Sequence, residues 1–272
     1  MSYSEELFSF NGEHIVITGG AGVIAQSLAS GFLKLGGRVS LWGRNTATLK
    51  EAKKEIEEAK PINSANLQII SVDCNDKKQL QIAFAKSQET FNTPTILINC
   101  VGGNKGKSDF LKQDENNFKE VLELNLMAGL LLPSQVFLQE WVDNKIQGNI
   151  INLASMASYM CFSGVWAYNA AKAGVFNLTK GMAREFAPHG IRINSLSPGF
   201  FIGKQNKALL LEEDGETLTQ RGKLVIDKTP MNRFGNHTDL QGAVIFLASN
   251  RAASFVTGID IPVDGGFLTD GI

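Results

Sequence analysis

Short apolar runs alternate with longer amphipathic stretches along most of this chain. Residues 13–18 (Glu-His-Ile-Val-Ile-Thr) read as a short buried strand, followed by Gly19-Gly20-Ala21-Gly22 and an apolar helix over 23–35. A second strand is expected at 38–42, a charged helix face over 50–60, a third strand at 67–72 and a fourth at 95–100. The helix face carries Lys53/Glu57 and Lys54/Glu58, each four apart, the spacing of solvent-side ion pairs. Strands alternating with helices at this interval imply a parallel sheet that holds ligands at its carboxyl edge. No linker, low-complexity tract or internal repeat breaks the pattern, so residues 1–272 read as one α/β domain.

Composition narrows the picture mainly by exclusion. Of 272 residues, 43% are hydrophobic and 19% charged, which suits a globular chain with a sizeable core. A net charge of −1 gives no reason to expect nucleic acid or an anionic membrane as partner. No run approaches 18 uninterrupted apolar residues, and the first eleven residues are polar and acidic rather than signal-like. Three cysteines (Cys74, Cys100, Cys161) lack Cys-x-x-Cys spacing and point to a reduced, cytoplasmic chain without disulfides. His14, His189 and His237 stand apart from one another, so no metal site is expected.

The strand, glycine turn and helix at the start present bare backbone amides and a helix amino end to a phosphate. The second strand ends in Gly43-Arg44-Asn45, where an acidic residue would bind the ribose hydroxyls of NAD. Arg44 instead offers a bidentate partner for a 2′-phosphate, which favours NADP with NAD as the alternative. Asp73, at the end of the third strand, is placed to meet an adenine amino group. The fourth strand runs into Asn99-Cys100-Val101-Gly102-Gly103, small enough for a cofactor to pass close over its tip.

Carbonyl chemistry is suggested further on. Tyr168 and Lys172 are four apart and share one helix face, while Ser155 lies thirteen residues earlier at a strand end. An ammonium about 4 Å from a phenol, at an effective dielectric of about 20, favours the phenolate by roughly 4 kcal/mol. That is up to about three pKa units, enough to bring a tyrosine from about 10 toward 7. The expectation is therefore that Lys172 tunes, Tyr168 trades the proton and Ser155 donates to the substrate oxygen.

With these pieces in order, the chain resembles the short-chain dehydrogenase/reductase family over nearly its whole length. The resemblance rests on Thr18-Gly19 with its glycine turn, Asn99 to Gly102, Asn125 in Leu-Asn-Leu, Ser155, Tyr168 and Lys172. Asn-Ser-Leu-Ser-Pro-Gly at 194–199 and Val-Asp-Gly-Gly at 263–266 complete it. It implies a Rossmann-type doubly wound sheet of about seven parallel strands, helices on both faces and a catalytic tetrad of Asn125, Ser155, Tyr168 and Lys172. In the family the asparagine holds a water that links the lysine to solvent. The implied cofactor contacts are Gly19, Gly22, Val23, Ile24, Arg44, Asp73, Asn99, Gly102, Tyr168, Lys172, Pro198 and Gly199. Homotetramers, or homodimers, are the implied assembly. One departure stands out: Val23 and Ala25 occupy the last two glycine positions of the usual Thr-Gly-x-x-x-Gly-x-Gly turn, and the turn carries no basic residue.

Residues 200–230 read as a lid inserted between sheet elements, with helical character over 217–227. Its Phe200-Phe201 start and the later Thr-Pro-Met-Asn-Arg-Phe-Gly at 229–235 are similar to the D-mannonate oxidoreductase (fructuronate reductase) branch of that family. The implied reaction is hydride transfer between D-fructuronate and D-mannonate. A sugar-acid anion needs cationic and amide groups, for which Asn104, Lys105, Lys204, Gln205, Asn206 and Arg221 are candidates beside Ser155. Met156 and Cys161 are expected in the pocket wall. Another keto acid such as 5-ketogluconate, a 3-oxoacyl thioester, and a non-catalytic cofactor sensor are the rival readings.

Overall fold

The computed structural model describes residues 2–58, 63–203 and 206–269. Seven strands form one parallel sheet: β1 (His14–Thr18), β2 (Arg38–Gly43), β3 (Leu67–Ser71), β4 (Ile96–Asn99), β5 (Asn149–Leu153), β6 (Arg192–Pro198) and β7 (Asp260–Val263). Their order is β3-β2-β1-β4-β5-β6-β7, and every neighbouring pair is parallel. The winding reverses between β1 and β4, the switch point where a crevice opens beyond the carboxyl ends of the strands.

The helices are α1 (Tyr3–Phe8), α2 (Val23–Lys34), α3 (Thr46–Glu58), α4 (Lys77–Thr90), α5 (Glu115–Leu122), α6 (Leu132–Asp143), α7 (Trp166–Phe186), α8 (Lys207–Leu210), α9 (Gln220–Asp227) and α10 (Gln241–Ala248). Alternation along the strands divides the core between two faces. Ile15, Ile17, Leu41 and Ile98 pack with Leu28, Phe32, Leu49 and Val244, from α2, α3 and α10. Val16, Trp42 and Leu97 pack on the other face with Leu80, Phe84, Phe137 and Trp141, from α4 and α6. The strands expected from the sequence at the amino end all form, with ends that differ by one or two residues. The expected ion pairs also form, Lys53–Glu57 at 3.8 Å and Lys54–Glu58 at 3.7 Å.

A π-helical segment (Glu123–Leu131) joins α5 to α6, so Glu115–Asp143 is one continuous helical stretch. Its length and apolar content match those of a membrane span, but Leu130, Phe137 and Trp141 are fully buried in the protein core.

His14 is a structural residue. Its Nδ1 donates to the Asn92 carbonyl at 2.6 Å, and its Nε2 lies 2.6 Å from the Ser40 hydroxyl, which itself accepts from Gln68. Burial lowers its pKa from 6.5 to about 4, against the pull of the Asn92 carbonyl. The unfolded chain takes up this proton near pH 6.5 and the folded chain only near 4, so stability is lost as pH falls through that window. The shift corresponds to about 3 kcal/mol at about 1.36 kcal/mol per unit. His14→Gln is expected to flatten the fall in unfolding free energy between pH 6.5 and 4, measured by urea titration beside the parent. Parallel curves for the two proteins would refute this assignment.

Residues 206–230 are more folded than a free lid. Leu211 pairs antiparallel with Leu218, α8 packs on α9, and Phe201 pairs with Gly235. The Thr219 hydroxyl, at the amino end of α9, donates to the Leu209 carbonyl and accepts from Gly222.

Candidate active site

A trench follows the carboxyl edge of the sheet. One half, about 560 Å3, is lined by Gly43, Arg44, Asn45, Asp73 and Leu124 among others. The second, about 470 Å3, is lined by Val23, Ile24, Ser155, Tyr168, Lys172 and Pro198 among others. Gly19, Ala21, Gly22, Cys100 and Gly102 line both, so the halves meet over the glycine turn and the tip of β4.

The turn suits a pyrophosphate. Gly19 has φ +66°, and a Cβ there would stand 2.9 Å from the Cys100 carbonyl oxygen, so only glycine keeps this path. Gly22 begins α2 with no side-chain cap, which leaves the helix amino end open to an anion. Val23 is tolerated because it falls on the first helical residue, outside the tight part of the turn. At the tip of β4, a Cβ on Gly102 would lie 2.7 Å from Asn125 Oδ1 and 3.2 Å from Lys172 Nζ. Bare backbone at these points, together with Arg44 and Asp73 in the far half, fits a dinucleotide.

Sequence placement fails for Asn99. It is fully buried, its amide donates to Ser134 at 3.0 Å and to Asn152 at 2.9 Å, and it does not line the trench. Its role is to join β4 to β5 and α6. A polar chain continues from Asn152 to Thr179 on α7, which holds the catalytic helix against the sheet.

Ser155 precedes a short turn (Met156–Ser158), and its Oγ accepts from the Ala157 N–H at 3.1 Å. That contact fixes the hydroxyl and leaves its proton for an oxygen in the cleft. Tyr168 and Lys172 rise from the first turns of α7 on one face, as their spacing predicts. Ser155 reaches the Tyr168 hydroxyl and pulls its pKa down, but burial outweighs this and leaves it above the ordinary 10. Lys172 is 4% exposed; its Nζ donates to the Leu153 carbonyl at 2.7 Å and stands 5.7 Å from the Tyr168 ring centre. Burial lowers the lysine to about 8.

The expected acidification of Tyr168 by Lys172 is therefore corrected for the protein alone. Desolvation acts against both charges, and the ammonium is directed at a backbone carbonyl rather than at the phenol oxygen. Asn125 sits in the π-helical segment, fully buried. Its amide donates to the Gly103 carbonyl at 2.7 Å and to Val121 at 2.8 Å, and its Oδ1 accepts from Gly103 N–H at 3.1 Å. The side chain thus clamps the loop after β4 beside Lys172.

The substrate candidates fare less well. Lys105 pairs with Glu120 at 2.6 Å and lines the Arg44 half of the trench, away from Tyr168. Asn104 is exposed, bonds the Gly106 carbonyl at 2.5 Å and lines neither half, because the loop after β4 turns it outward. Asn206 does line the Tyr168 half, but its Oδ1 accepts from Gly203 at 2.7 Å and its Nδ2 donates to Phe201 at 2.8 Å. Both amide atoms shape the loop. Arg221, on α9, lines neither half, and Lys204 and Gln205 lie outside the described residues. Met156 is buried and Cys161 exposed; neither lines the cleft. Phe201, from the start of the 200–230 segment, also lines this half, and sequence reasoning missed His237 there, since it arrives from the far end of the chain and no local pattern marks it. Among the described residues no group of three or more His, Cys, Asp and Glu side chains converges as a metal site would.

A dinucleotide trench that ends on an enclosed phenol, a buried lysine and a serine defines a Rossmann-type oxidoreductase. A family model described as enoyl-(acyl carrier protein) reductase matches residues 19–268. The chain belongs to the short-chain dehydrogenase/reductase family, whose members use NAD(P). It is 38% identical to the uncharacterized oxidoreductase UxuB of Bacillus subtilis, over 94% of this chain and 95% of that one. It is 31% identical to the 5-keto-D-gluconate 5-reductase of Escherichia coli K12, over 97% and 98%. A crystal structure of a protein provisionally assigned as a D-mannonate oxidoreductase from Haemophilus influenza, with bound NAD, superposes with a TM-score of 0.87. It is 30% identical and covers 98% of each chain.

Proposed function

We propose that this chain is an NAD(P)-dependent oxidoreductase that interconverts a hydroxyl and a carbonyl on a sugar acid, with D-mannonate and D-fructuronate as the first pair. The observation that carries the reading is the trio of Ser155, Tyr168 and Lys172 at one end of the dinucleotide trench. Relatives described as acting on 5-ketogluconate and 2-dehydro-3-deoxygluconate support the substrate class. They also favour a second reading, oxidation or reduction at C5 of a gluconate.

A bound nicotinamide supplies or accepts the hydride. For reduction, Tyr168 holds its proton in the resting site and gives it to the substrate oxygen, while the Ser155 hydroxyl donates to the charge that develops there. Lys172 fixes the geometry through Leu153 and adds positive charge when protonated. For oxidation, Tyr168 must first lose its proton, and its raised pKa makes this direction faster as pH rises. Pro198, Gly199 and Phe201 line the wall on the side of β6. Following reduced-cofactor absorbance with mannonate, fructuronate, gluconate and 5-ketogluconate tests the reading. Turnover restricted to 3-oxoacyl thioesters would dispose of it.

NADP is the proposed preference, because Arg44 faces the adenosine half and no acid stands at the end of β2. Arg44→Asp is expected to lower kcat/KM for NADP by about 10- to 100-fold, a loss of one charge-assisted contact of about 1.5–3 kcal/mol. NAD turnover should hold or improve. A wild type that already prefers NAD would reject the preference.

A further inference from the structure

One polar residue in the cleft wall is left over once the trio and the glycine turn are accounted for. His237 opens a short turn (His237–Leu240) that packs against α2, and it lines the cleft with Gly22, Val23 and Ile24. Its ring centre is 6.1 Å from that of Phe201. Among the described residues its Nε2 is buried without a hydrogen-bond partner. The Ile202 carbonyl lies near the ring and favours the protonated form, but among the described residues no group makes a full hydrogen bond to Nε2, and burial works against the charge. Buried polar atoms without partners are uncommon, and a turn of the ring toward the cleft would let a ligand there satisfy this one.

The same cleft has a specific shortage. The turn over 19–25 carries no basic side chain, and Val23 and Ala25 stand where the family's usual turn has glycines. Helix α2 therefore offers its amino end to an anion with backbone alone. The loop after β6 comes close to this turn, since a Cβ added at Gly203 would lie 3.5 Å from Val23 Cγ2. Building on the dinucleotide reading of the trench, we infer that His237 binds the cofactor's pyrophosphate and supplies the side-chain N–H donor that the glycine turn lacks.

Calorimetric or fluorescence titration without substrate tests this. Wild type, His237→Gln and His237→Leu would be titrated with NADPH, NADH and ADP-ribose, which has the pyrophosphate but no nicotinamide. Adenosine, which has no phosphate, serves as the competition control. The leucine variant is expected to bind NADPH, NADH and ADP-ribose about tenfold more weakly and adenosine within twofold of wild type. The glutamine variant should recover part of the loss, because its amide can still donate. Melting temperatures of the ligand-free variants show whether they fold, and the glutamine variant carries the comparison if leucine is not tolerated there. Unchanged ADP-ribose affinity in the variants overturns the inference, even where NADPH binding falls, since the contact would then be to the nicotinamide end. A wild type that binds none of the dinucleotides would overturn the trench reading itself and this inference with it.

Discussion

Tyr168→Phe is expected to lower kcat for sugar-acid turnover by at least 10^3-fold and to leave dinucleotide affinity within about twofold. The substitution removes one oxygen from a ring whose remaining atoms are packed in the wall of the cleft, so the fold and the dinucleotide trench should persist. Positioned proton transfer contributes about 10^2- to 10^4-fold. The loss should exceed the lower figure, because the Ser155 hydroxyl then faces the substrate oxygen without a proton partner. Single-turnover kinetics and a direct binding titration separate the two effects. A variant that keeps a tenth of wild-type kcat would remove Tyr168 from the chemistry.

Lys172→Met should produce opposite changes in activity and stability. Burial holds the lysine at about 8 instead of the ordinary 10.5, which corresponds to roughly 3 kcal/mol at neutral pH. Methionine removes that cost and fills similar volume, but leaves the Leu153 carbonyl without its donor, a loss of about 1–2 kcal/mol. The net expectation is a ligand-free protein about 1–2 kcal/mol more stable at pH 7, with activity down at least 100-fold. The pH dependence gives a second check. The unfolded lysine keeps its proton up to about 10.5 and the folded one only to about 8, so wild-type stability should rise between pH 8 and 10. The variant should lack this rise. Above pH 10 the half-buried Tyr168 acts in the other direction, since the unfolded tyrosine ionises first. Urea unfolding at pH 7 and 9.5 measures both, and a variant less stable than wild type at pH 7 contradicts the account. Such an exchange of stability for a charged group in a dry site is common where proteins do chemistry.

Three consequences of the sequence carried through to the structure. Short continuous apolar runs gave the strands, because a strand covered by helices on both faces must be apolar on both sides. Glycines at 19, 22 and 102 gave the trench, since no side chain fits where backbone approaches backbone or ligand. The four-residue spacing put Tyr168 and Lys172 on one helix face. These are local properties, set by strand pleat, helix pitch and the absence of a Cβ.

What the sequence by itself determined was the order of elements, the parallel sheet and the identity of the groups at the site. Only the tertiary structure decided how those groups behave. Desolvation around Tyr168 and Lys172 depends on every element that closes over them, so in the protein alone it outweighs any pull of the ammonium on the phenol. Asn99, Asn104, Lys105 and Asn206 are all polar and near the site in sequence, yet each spends its hydrogen bonds on a neighbour supplied by folding. His237 reaches the cleft because β6, the 200–230 segment and α2 bring it there across more than two hundred residues of chain. Periodicity is written residue by residue, whereas dielectric surroundings and hydrogen-bond partners belong to the assembled fold.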